Sequence, residues 1–309
     1  MAAGSALPDA AAADAALASL PRFAETSREL TPLRGGHTNR NYRLVTGEGQ
    51  RYVARFSASD PSGLGIDRDA EAANTAAAAA LGVGPEVAAY APQHGLLVTR
   101  WIDGRTLSPT DLDDETTLRR VAALARSLHA GPRFAGDFDV FAIQRRYREL
   151  VQANGYHLPA DYLELQPRID RLEATLSASA RASVPCHCDL VAANIVDAGE
   201  RLWFIDYEYA GNTEPAFELG NLWSEAGLGS ERLAYLVETY FGRPDPAQVA
   251  RARLFGVVSL YSWTLWASIQ EAVGGVDFDF RGWGRERYER ARGELTSAGL
   301  DAAISTARS

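Results

Sequence analysis

The sequence contains no lysine, since all 31 of its basic residues are arginine. This absence excludes any mechanism that depends on a lysine side chain. It also excludes the Walker-type phosphate-binding loop, whose motif requires a lysine. The 40 acidic residues outnumber the basic ones and give a net charge of -9. An acidic balance argues against nucleic acid as a partner and suits a positively charged ligand.

Cysteines and long apolar segments are also scarce. The two cysteines, Cys186 and Cys188, lie only two positions apart on a predicted strand, and a disulfide between them is geometrically poor. No stretch has the roughly 18 consecutive apolar residues of a membrane span. The alanine-rich start lacks the basic flank of a signal peptide, and we expect a frayed or helical extension over residues 1–20. These features predict a reduced, cytoplasmic protein and leave its oligomeric state open.

The secondary-structure signals divide the 309 residues into two parts. Up to Trp101 the patterns predict strands and one main helix, over residues 67–81, whereas helices predominate afterwards. We expect residues 1–100 to form an N-terminal nucleotide-binding lobe and residues 101–309 to form a C-terminal catalytic and acceptor-binding lobe. The connecting segment near Thr99 to Gly104 carries backbone groups that can hydrogen-bond an adenine edge. In the C-terminal part, His129 ends a predicted helix and is interpreted as complementing the helix dipole.

A glycine-bearing loop precedes the first predicted hairpin. Gly35 and Gly36 have no Cβ to obstruct a phosphate, and Thr38 and Asn39 add small polar side chains. Such a loop can bring backbone N–H groups close to a nucleotide. An ordinary turn is the alternative, and for two glycines alone it is the commoner one.

Two charged residues follow this loop. Arg55 lies in a predicted strand, where alternation is expected to direct it to the face opposite Val53 and Phe56. It can clamp phosphates or be an exposed strand residue. Glu71, early in the next helix, can orient the arginine in the manner of the helix glutamate of kinases. Alternatively, it stabilises the N-terminus of its own helix.

The segment from 184 to 209 combines two apolar runs with polar residues at their ends. Asp189 follows the first run, Asn194 stands five positions later, and Asp206 ends the second run, LWFID. Asp189 can accept the proton of a substrate hydroxyl, while Asn194 and Asp206 can supply oxygen ligands to Mg²⁺. Each residue alone would be an ordinary loop residue, but their combination predicts phosphoryl transfer. His187 is interpreted as a structural residue that holds the loop.

Aromatic residues are concentrated after this segment. Trp263 and Trp266 are three positions apart and share one face of a predicted helix. Such rings attract a quaternary ammonium ion through cation–π contacts of about 0.5–2 kcal/mol each. A buried apolar stripe is the alternative and, judged from the helix alone, the commoner one. Glu208 and Glu225 can add long-range attraction for a cation.

Six segments resemble the choline and ethanolamine kinase family, within the kinase-like group that includes the aminoglycoside phosphotransferases. They are GGHTNRNY at 35–42, VARF at 53–56, HCDLVAAN at 187–194, FIDYEYAG at 204–211, FELGNLWSE at 217–225 and WTLWASIQ at 263–270. The first four span the kinase-like frame, and the last two favour the choline kinase branch. Together they extend the resemblance to almost the whole chain after Leu30.

The resemblance implies an α+β, protein-kinase-like two-lobed fold: an N-terminal antiparallel sheet with one main helix, and a larger, mostly helical C-terminal lobe. It implies an ATP- and Mg²⁺-dependent small-molecule kinase that phosphorylates the hydroxyl of choline or a related amino alcohol. Kinases of the same fold that act on ethanolamine, thiamine, an aminoglycoside or a sugar are alternatives. A non-catalytic, nucleotide-binding pseudokinase is a further one.

The resemblance also implies roles for single residues. Asp189 looks like the catalytic base, and Asn194 and Asp206 look like the Mg²⁺ ligands. Glu71 looks like the helix glutamate, and Arg55 stands where many kinases have lysine. Two groups complete the site: an adenine contact on the backbone of Thr99 and Trp101, and walls of a cationic acceptor pocket at Tyr209, Trp263, Trp266 and Trp283.

Overall fold

The computed structural model describes residues 7–33, 39–57, 63–274 and 278–309. The strands in this part of the chain are β1 (Arg28–Pro32), β2 (Asn39–Thr46), β3 (Arg51–Ser57), β4 (Val87–Ala91), β5 (Leu96–Arg100), β6 (Arg105–Thr106), β7 (Val184–Cys186), β8 (Ile195–Asp197), β9 (Leu202–Phe204) and β10 (Gly211–Thr213). The helices are α1 (Ala10–Ala18), α2 (Arg68–Ala80), α3 (Glu115–His129), α4 (Val140–Asn154), α5 (Gln166–Ala178), α6 (Pro215–Ala226), α7 (Ser230–Phe241), α8 (Pro246–Val273), α9 (Phe280–Leu295) and α10 (Leu300–Ala307).

The first five strands form one antiparallel sheet in the order β1-β2-β3-β5-β4. One face of this sheet packs on α1, where Leu17 clusters with Tyr42, Leu44 and Tyr52. Because side chains alternate between the faces of a strand, the other face is left for polar residues such as Arg55. The alanine-rich start, predicted as frayed or helical, is therefore helical over Ala10–Ala18 and covers the sheet.

A long central helix organises the rest of the chain. Helix α8 has 28 residues, and nearly every one from Ala250 to Gln270 is buried. A helix that is apolar on all sides must be surrounded, and α8 packs against α4, α6, α9 and α10. The contact with α6 is close, because a Cβ on Gly220 would collide with the carbonyl oxygen of Ala252. The backbone contact holds the aromatic side chains of α8 beside α6.

Two small sheets carry the 184–209 segment. Strands β6, β8 and β9 form one sheet, and β7 pairs with β10 in the other. The prediction that Cys188 continues the first strand is wrong, because β7 ends at Cys186 and Cys188 has a φ of 64°. Both cysteines are buried and carry free thiols.

The predicted α+β arrangement is confirmed: one antiparallel sheet with α1 and α2 is followed by a mostly helical region. Among the helices of the described residues, none has the length and apolar character needed to cross a membrane.

Candidate active site

A cavity of about 410 Å³ lies between the five-stranded sheet and the 193–207 segment. Arg55, Thr99 and Trp101 line it from the sheet side, and Asn194 and Asp206 line it from the other. The fold thus brings together residues that the sequence predicted separately as nucleotide and metal contacts. The predicted phosphate-binding residues Gly35, Gly36 and Thr38 lie outside the described residues.

Arg55 is a buried residue of this cavity, with 8% exposure, and the exposed-strand alternative is wrong. The expected orientation was also partly wrong. Val53 lines the same cavity, because residues two apart on a strand share a face. Arg55 forms ion pairs with Glu71 of α2 and with Asp206. Glu71 therefore contacts the sheet arginine as well as standing in the first turn of its helix.

The loop that carries Asp189 is tied to the segment after β9 that carries Asp206. Nε2 of His187 donates to the Ile205 carbonyl at 2.8 Å. Nδ2 of Asn194 donates to the backbone oxygen of Asp189 at 2.9 Å and to its carboxylate at 3.1 Å. These bonds use the nitrogen of the Asn194 amide and leave Oδ1 as the atom available to a metal ion.

Two residues of this assembly have a strained backbone. Cys188 has a φ of 64° and Asp206 a φ of 70°, and among the described residues these are the non-glycine residues with positive φ. Such conformations cost on the order of 1–3 kcal/mol each and are concentrated at functional sites. One of them precedes Asp189 directly, and the other is a predicted metal ligand itself.

Burial perturbs the titration of the central groups. It raises the pKa of the Asp189 carboxyl well above its ordinary value, and the negative charges of Asp206, Glu208 and Glu225 raise it further. Burial also lowers the pKa of His187, which favours a neutral imidazole. This agrees with a structural role for the histidine, while Asp189 is a carboxyl group surrounded by other carboxylates.

The predicted acceptor residues form two adjoining aromatic pairs. Tyr209 packs edge-to-face on Trp263 with ring centroids 5.1 Å apart, and Trp266 lies 5.4 Å from Trp283. Burial raises the pKa of the Tyr209 hydroxyl, Tyr147 and Glu208 raise it further, and Asp189 makes the smallest contribution. We call Tyr209, Trp263, Trp266 and Trp283 the aromatic wall. Asn221 joins this wall to the Asp189 loop, since it accepts a hydrogen bond from Trp263 and donates one to the carbonyl of Leu190.

Both glutamates predicted to attract a cation are engaged by arginines. Arg68 donates to Glu208 at 2.9 Å. Arg287 pairs with Glu225 through Nε at 3.2 Å and through Nη2, and its guanidinium lies 3.2 Å from the centroid of the Trp283 ring. An internal cation thus covers Trp283, and the remaining three members of the wall are the candidates for contacting an acceptor.

Comparisons with known proteins agree with this geometry. A family model described as the phosphotransferase enzyme family (APH) matches residues 29–253. The chain belongs to the phosphotransferase enzyme family. Protein LicA of Haemophilus influenzae is 30% identical to this phosphotransferase over 251 residues, covering 77% of this chain and 91% of the relative.

Solved structures extend the similarity over nearly the whole phosphotransferase. A choline/ethanolamine kinase family protein from Mesorhizobium loti has a TM-score of 0.83 and 29% identity, covering 96% of this chain and 98% of the other. Choline kinase LicA from Streptococcus pneumoniae has a TM-score of 0.76 and 25% identity, covering 91% and 96%. The family resemblance and the kinase-like fold predicted from the sequence are confirmed.

Sequence reasoning missed a buried group of hydrogen bonds that supports the loop carrying Asp189 in this phosphotransferase. Glu218 of α6 accepts a hydrogen bond from Nε2 of His129 at 3.0 Å and another from the N–H of Cys188 at 2.9 Å. His129 was interpreted only as complementing a helix dipole, but it is buried and also hydrogen-bonds Tyr240 at 2.7 Å. An acidic residue in the apolar run FELGNLW was the available signal.

Glu218→Ala is expected to lower the free energy of unfolding by about 2–6 kcal/mol, because two buried donors each lose a partner worth about 1–3 kcal/mol. Although burial alone would raise it, the hydrogen bond and charge of His129 hold the pKa of Glu218 below its ordinary value. The stabilisation is therefore full above the unfolded-state pKa and is lost as the pH falls through the folded-state pKa. Urea unfolding at pH 7 and at about pH 4 measures both effects.

Glu115→Ala is the matched control, since Glu115 forms an exposed ion pair with Arg232. Surface pairs contribute about 0–1 kcal/mol. Two outcomes would contradict a buried, ionised Glu218. One is an equal loss of unfolding free energy in Glu218→Ala and Glu115→Ala, and the other is a difference between the two variants that grows as the pH falls.

Proposed function

We propose that this protein transfers the γ-phosphoryl group of ATP to the hydroxyl of choline or a related amino alcohol. The observation that carries the proposal is the position of Asp189. Its carboxylate hydrogen-bonds Asn194 at 3.1 Å, and it interacts electrostatically with Asp206 on the cavity side and Glu225 beside the aromatic wall. One buried carboxyl group thus adjoins candidate metal ligands and a candidate cation site. Phosphoryl transfer needs this kind of positioning.

The two lobes would have separate roles, one in nucleotide binding and the other in catalysis and acceptor binding. We assign residues 1–100 to nucleotide binding and residues 101–309 to catalysis and acceptor binding, because the five-stranded sheet ends at Arg100. The 410 Å³ cavity lies where these regions meet and is the candidate nucleotide site. The backbone of Thr99 and Trp101 would contact the adenine edge.

The oxygen-bearing side chains in the cavity fit Mg²⁺, which prefers carboxylate and amide oxygens and dehydrates reluctantly. Asp206 and Oδ1 of Asn194 would hold the ion. When bound, Mg²⁺ would neutralise the charge of the phosphates. Arg55, held between Glu71 and Asp206, adds a fixed positive charge at the same place.

Asp189 would orient the acceptor hydroxyl and accept its proton. A carboxylate with a raised pKa is a stronger proton acceptor than an ordinary carboxylate, which suits a general base. Asn194 keeps the group in place through its two hydrogen bonds to Asp189. Proton acceptance and acceptor orientation therefore depend on the same loop.

The aromatic wall favours a quaternary ammonium acceptor over a primary amine. A primary ammonium carries three donors that need acceptors, whereas both nearby glutamates already accept hydrogen bonds from arginines. A quaternary ammonium has no such donors and is bound by aromatic faces. Ethanolamine is the second candidate because of the choline/ethanolamine kinase family relative.

A panel of acceptors tests the proposal. The protein would be incubated with Mg²⁺-ATP and choline, ethanolamine, thiamine, an aminoglycoside or a sugar, with ADP release and product mass measured together. We expect phosphorylated choline as the main product and slower turnover of ethanolamine. Turnover of the aminoglycoside alone would redirect the acceptor assignment, and failure with every hydroxyl compound would support a non-catalytic nucleotide-binding protein.

A further inference from the structure

Arg68 is the first residue of α2, where a positive charge opposes the helix dipole. Its location therefore does not serve the helix itself. The side chain is only 24% exposed and donates 2.7 Å to Glu71 and 2.9 Å to Glu208. It also donates to Oδ1 of Asn39 at 3.1 Å. One guanidinium thus joins α2, the start of β2 and the segment after β9.

A further hydrogen bond links Asn39 directly to Glu208. Nδ2 of Asn39 donates to the same Glu208 oxygen at 3.0 Å. Asn39 was predicted to approach phosphate through its small polar side chain, whereas the structure uses that side chain to contact Arg68 and Glu208. We call the three mutually bonded residues Arg68, Asn39 and Glu208 the triangle. Asn39 begins β2 directly after the glycine-bearing segment, so the triangle anchors that end of the strand to the region of Asp206.

The triangle continues into the nucleotide cavity as a row of alternating charges. From Glu208 the row runs through Arg68 to Glu71, then through Arg55 to Asp206. Three carboxylates share two arginines, and their side chains are mostly buried. With Arg68 removed, Glu71, Glu208 and Asp206 would have Arg55 as the remaining arginine of the row. Excess negative charge in a partly buried site opposes the binding of an anion.

We propose that Arg68 is a positioning residue for nucleotide binding. It holds Glu71 and Glu208 so that Arg55 remains beside Asp206, and it fixes the start of β2 against the segment after β9 that carries Asp206, the proposed metal ligand. The proposal rests on the proposed kinase function. It concerns the nucleotide half of the site and not the acceptor half.

The test measures binding of Mg²⁺ and a non-hydrolysable ATP analogue by titration calorimetry, with no acceptor present. Arg68→Ala is expected to raise the dissociation constant about 10- to 100-fold, as loss of residues behind metal and phosphate ligands does. Arg68→Lys keeps the charge but lacks the planar fork, and it should be intermediate. Steady-state assays should show a raised KM for ATP and an unchanged KM for the acceptor.

A double variant tests the charge argument directly. Arg68→Ala combined with Glu208→Gln removes one charge of each sign and should recover part of the nucleotide affinity. Arg28→Ala is the matched control: Arg28 is a similarly buried arginine of β1, 11% exposed, which pairs with Asp14 and two backbone carbonyls. It should lower stability and leave nucleotide binding unchanged.

Wild-type nucleotide affinity in folded Arg68→Ala, or in Arg68→Lys if the alanine variant does not fold, would overturn the proposal. So would a KM for ATP that stays constant while thermal stability falls as in Arg28→Ala. Because binding is measured without acceptor, a wrong acceptor assignment would leave this result intact. Absence of nucleotide binding in the wild-type protein would instead overturn the proposed function.

Discussion

Asp189→Asn should reduce kcat for the accepted alcohol about 10²- to 10⁴-fold, which is the usual contribution of a general base. The amide can still contact Asn194 but can no longer take the hydroxyl proton. Nucleotide binding should be largely retained, because the carboxyl group adjoins the acceptor side. Stability should be unchanged or improved, since burial disfavours the charged form of Asp189. Single-turnover kinetics, calorimetric binding of an ATP analogue and thermal unfolding measure the three quantities.

Asp197→Asn provides the control for this prediction. Asp197 ends β8 only a few positions from the loop, pairs with Arg120 at 3.0 Å, and is not among the residues that line the cavity. Its substitution should leave kcat unchanged. Unchanged turnover in Asp189→Asn and in Asp189→Ala would contradict the base assignment. Loss of nucleotide binding together with turnover would show that Asp189 acts mainly on the nucleotide.

Combined replacement of Trp263 and Trp266 by leucine should weaken use of a quaternary amine far more than use of a primary amine. Two cation–π contacts of about 0.5–2 kcal/mol each correspond to a loss of about 5- to 1,000-fold in kcat/KM for choline. Leucine keeps apolar volume in positions that are only 5% and 8% exposed. Parallel assays with choline and ethanolamine separate loss of the aromatic faces from a general loss of activity.

Trp203→Leu is the control for the aromatic prediction. Trp203 lies on β9 and also carries a cation–π contact, with Arg201 at 4.0 Å, but it is not part of the aromatic wall. It should leave the ratio of choline to ethanolamine use unchanged. Equal losses for the two acceptors in the double variant would favour the alternative in which Trp263 and Trp266 are core residues.

The predictions from sequence were strongest where the relevant residues are close along the chain. Asp189 and Asn194 are five positions apart, and their hydrogen bond needs little beyond a short loop. The change from strands to helices near Trp101 was equally predictable from the sequence, because hydrophobic periodicity is a local property. Arg55 was harder. Its strand was evident, but its burial depends on α2 and on Asp206, 151 positions later.

The contacts that decide charge within the site were not predictable from sequence. Glu208 and Glu225 were expected to attract a cation, and nothing near them in sequence indicated Arg68, 140 positions away, or Arg287, 62 positions away. The same applies to Glu218 and His129, 89 positions apart. A carboxylate is an acceptor wherever it stands, and only folding determines which donor reaches it.

The sequence by itself determined the family, the order of strands and helices, and the identity of the candidate base and metal ligands. The family follows from the resemblance of six short segments, and the other properties follow from residue type and short spacing. Only the tertiary structure decided that Arg55 is buried between Glu71 and Asp206. It also decided that Asn221 joins Trp263 of α8 to the carbonyl of Leu190, next to Asp189, and that arginines pair with Glu208 and Glu225. The physical reason is that electrostatic and hydrogen-bond partners are set by distance in space, which the chain establishes through long-range packing around α8.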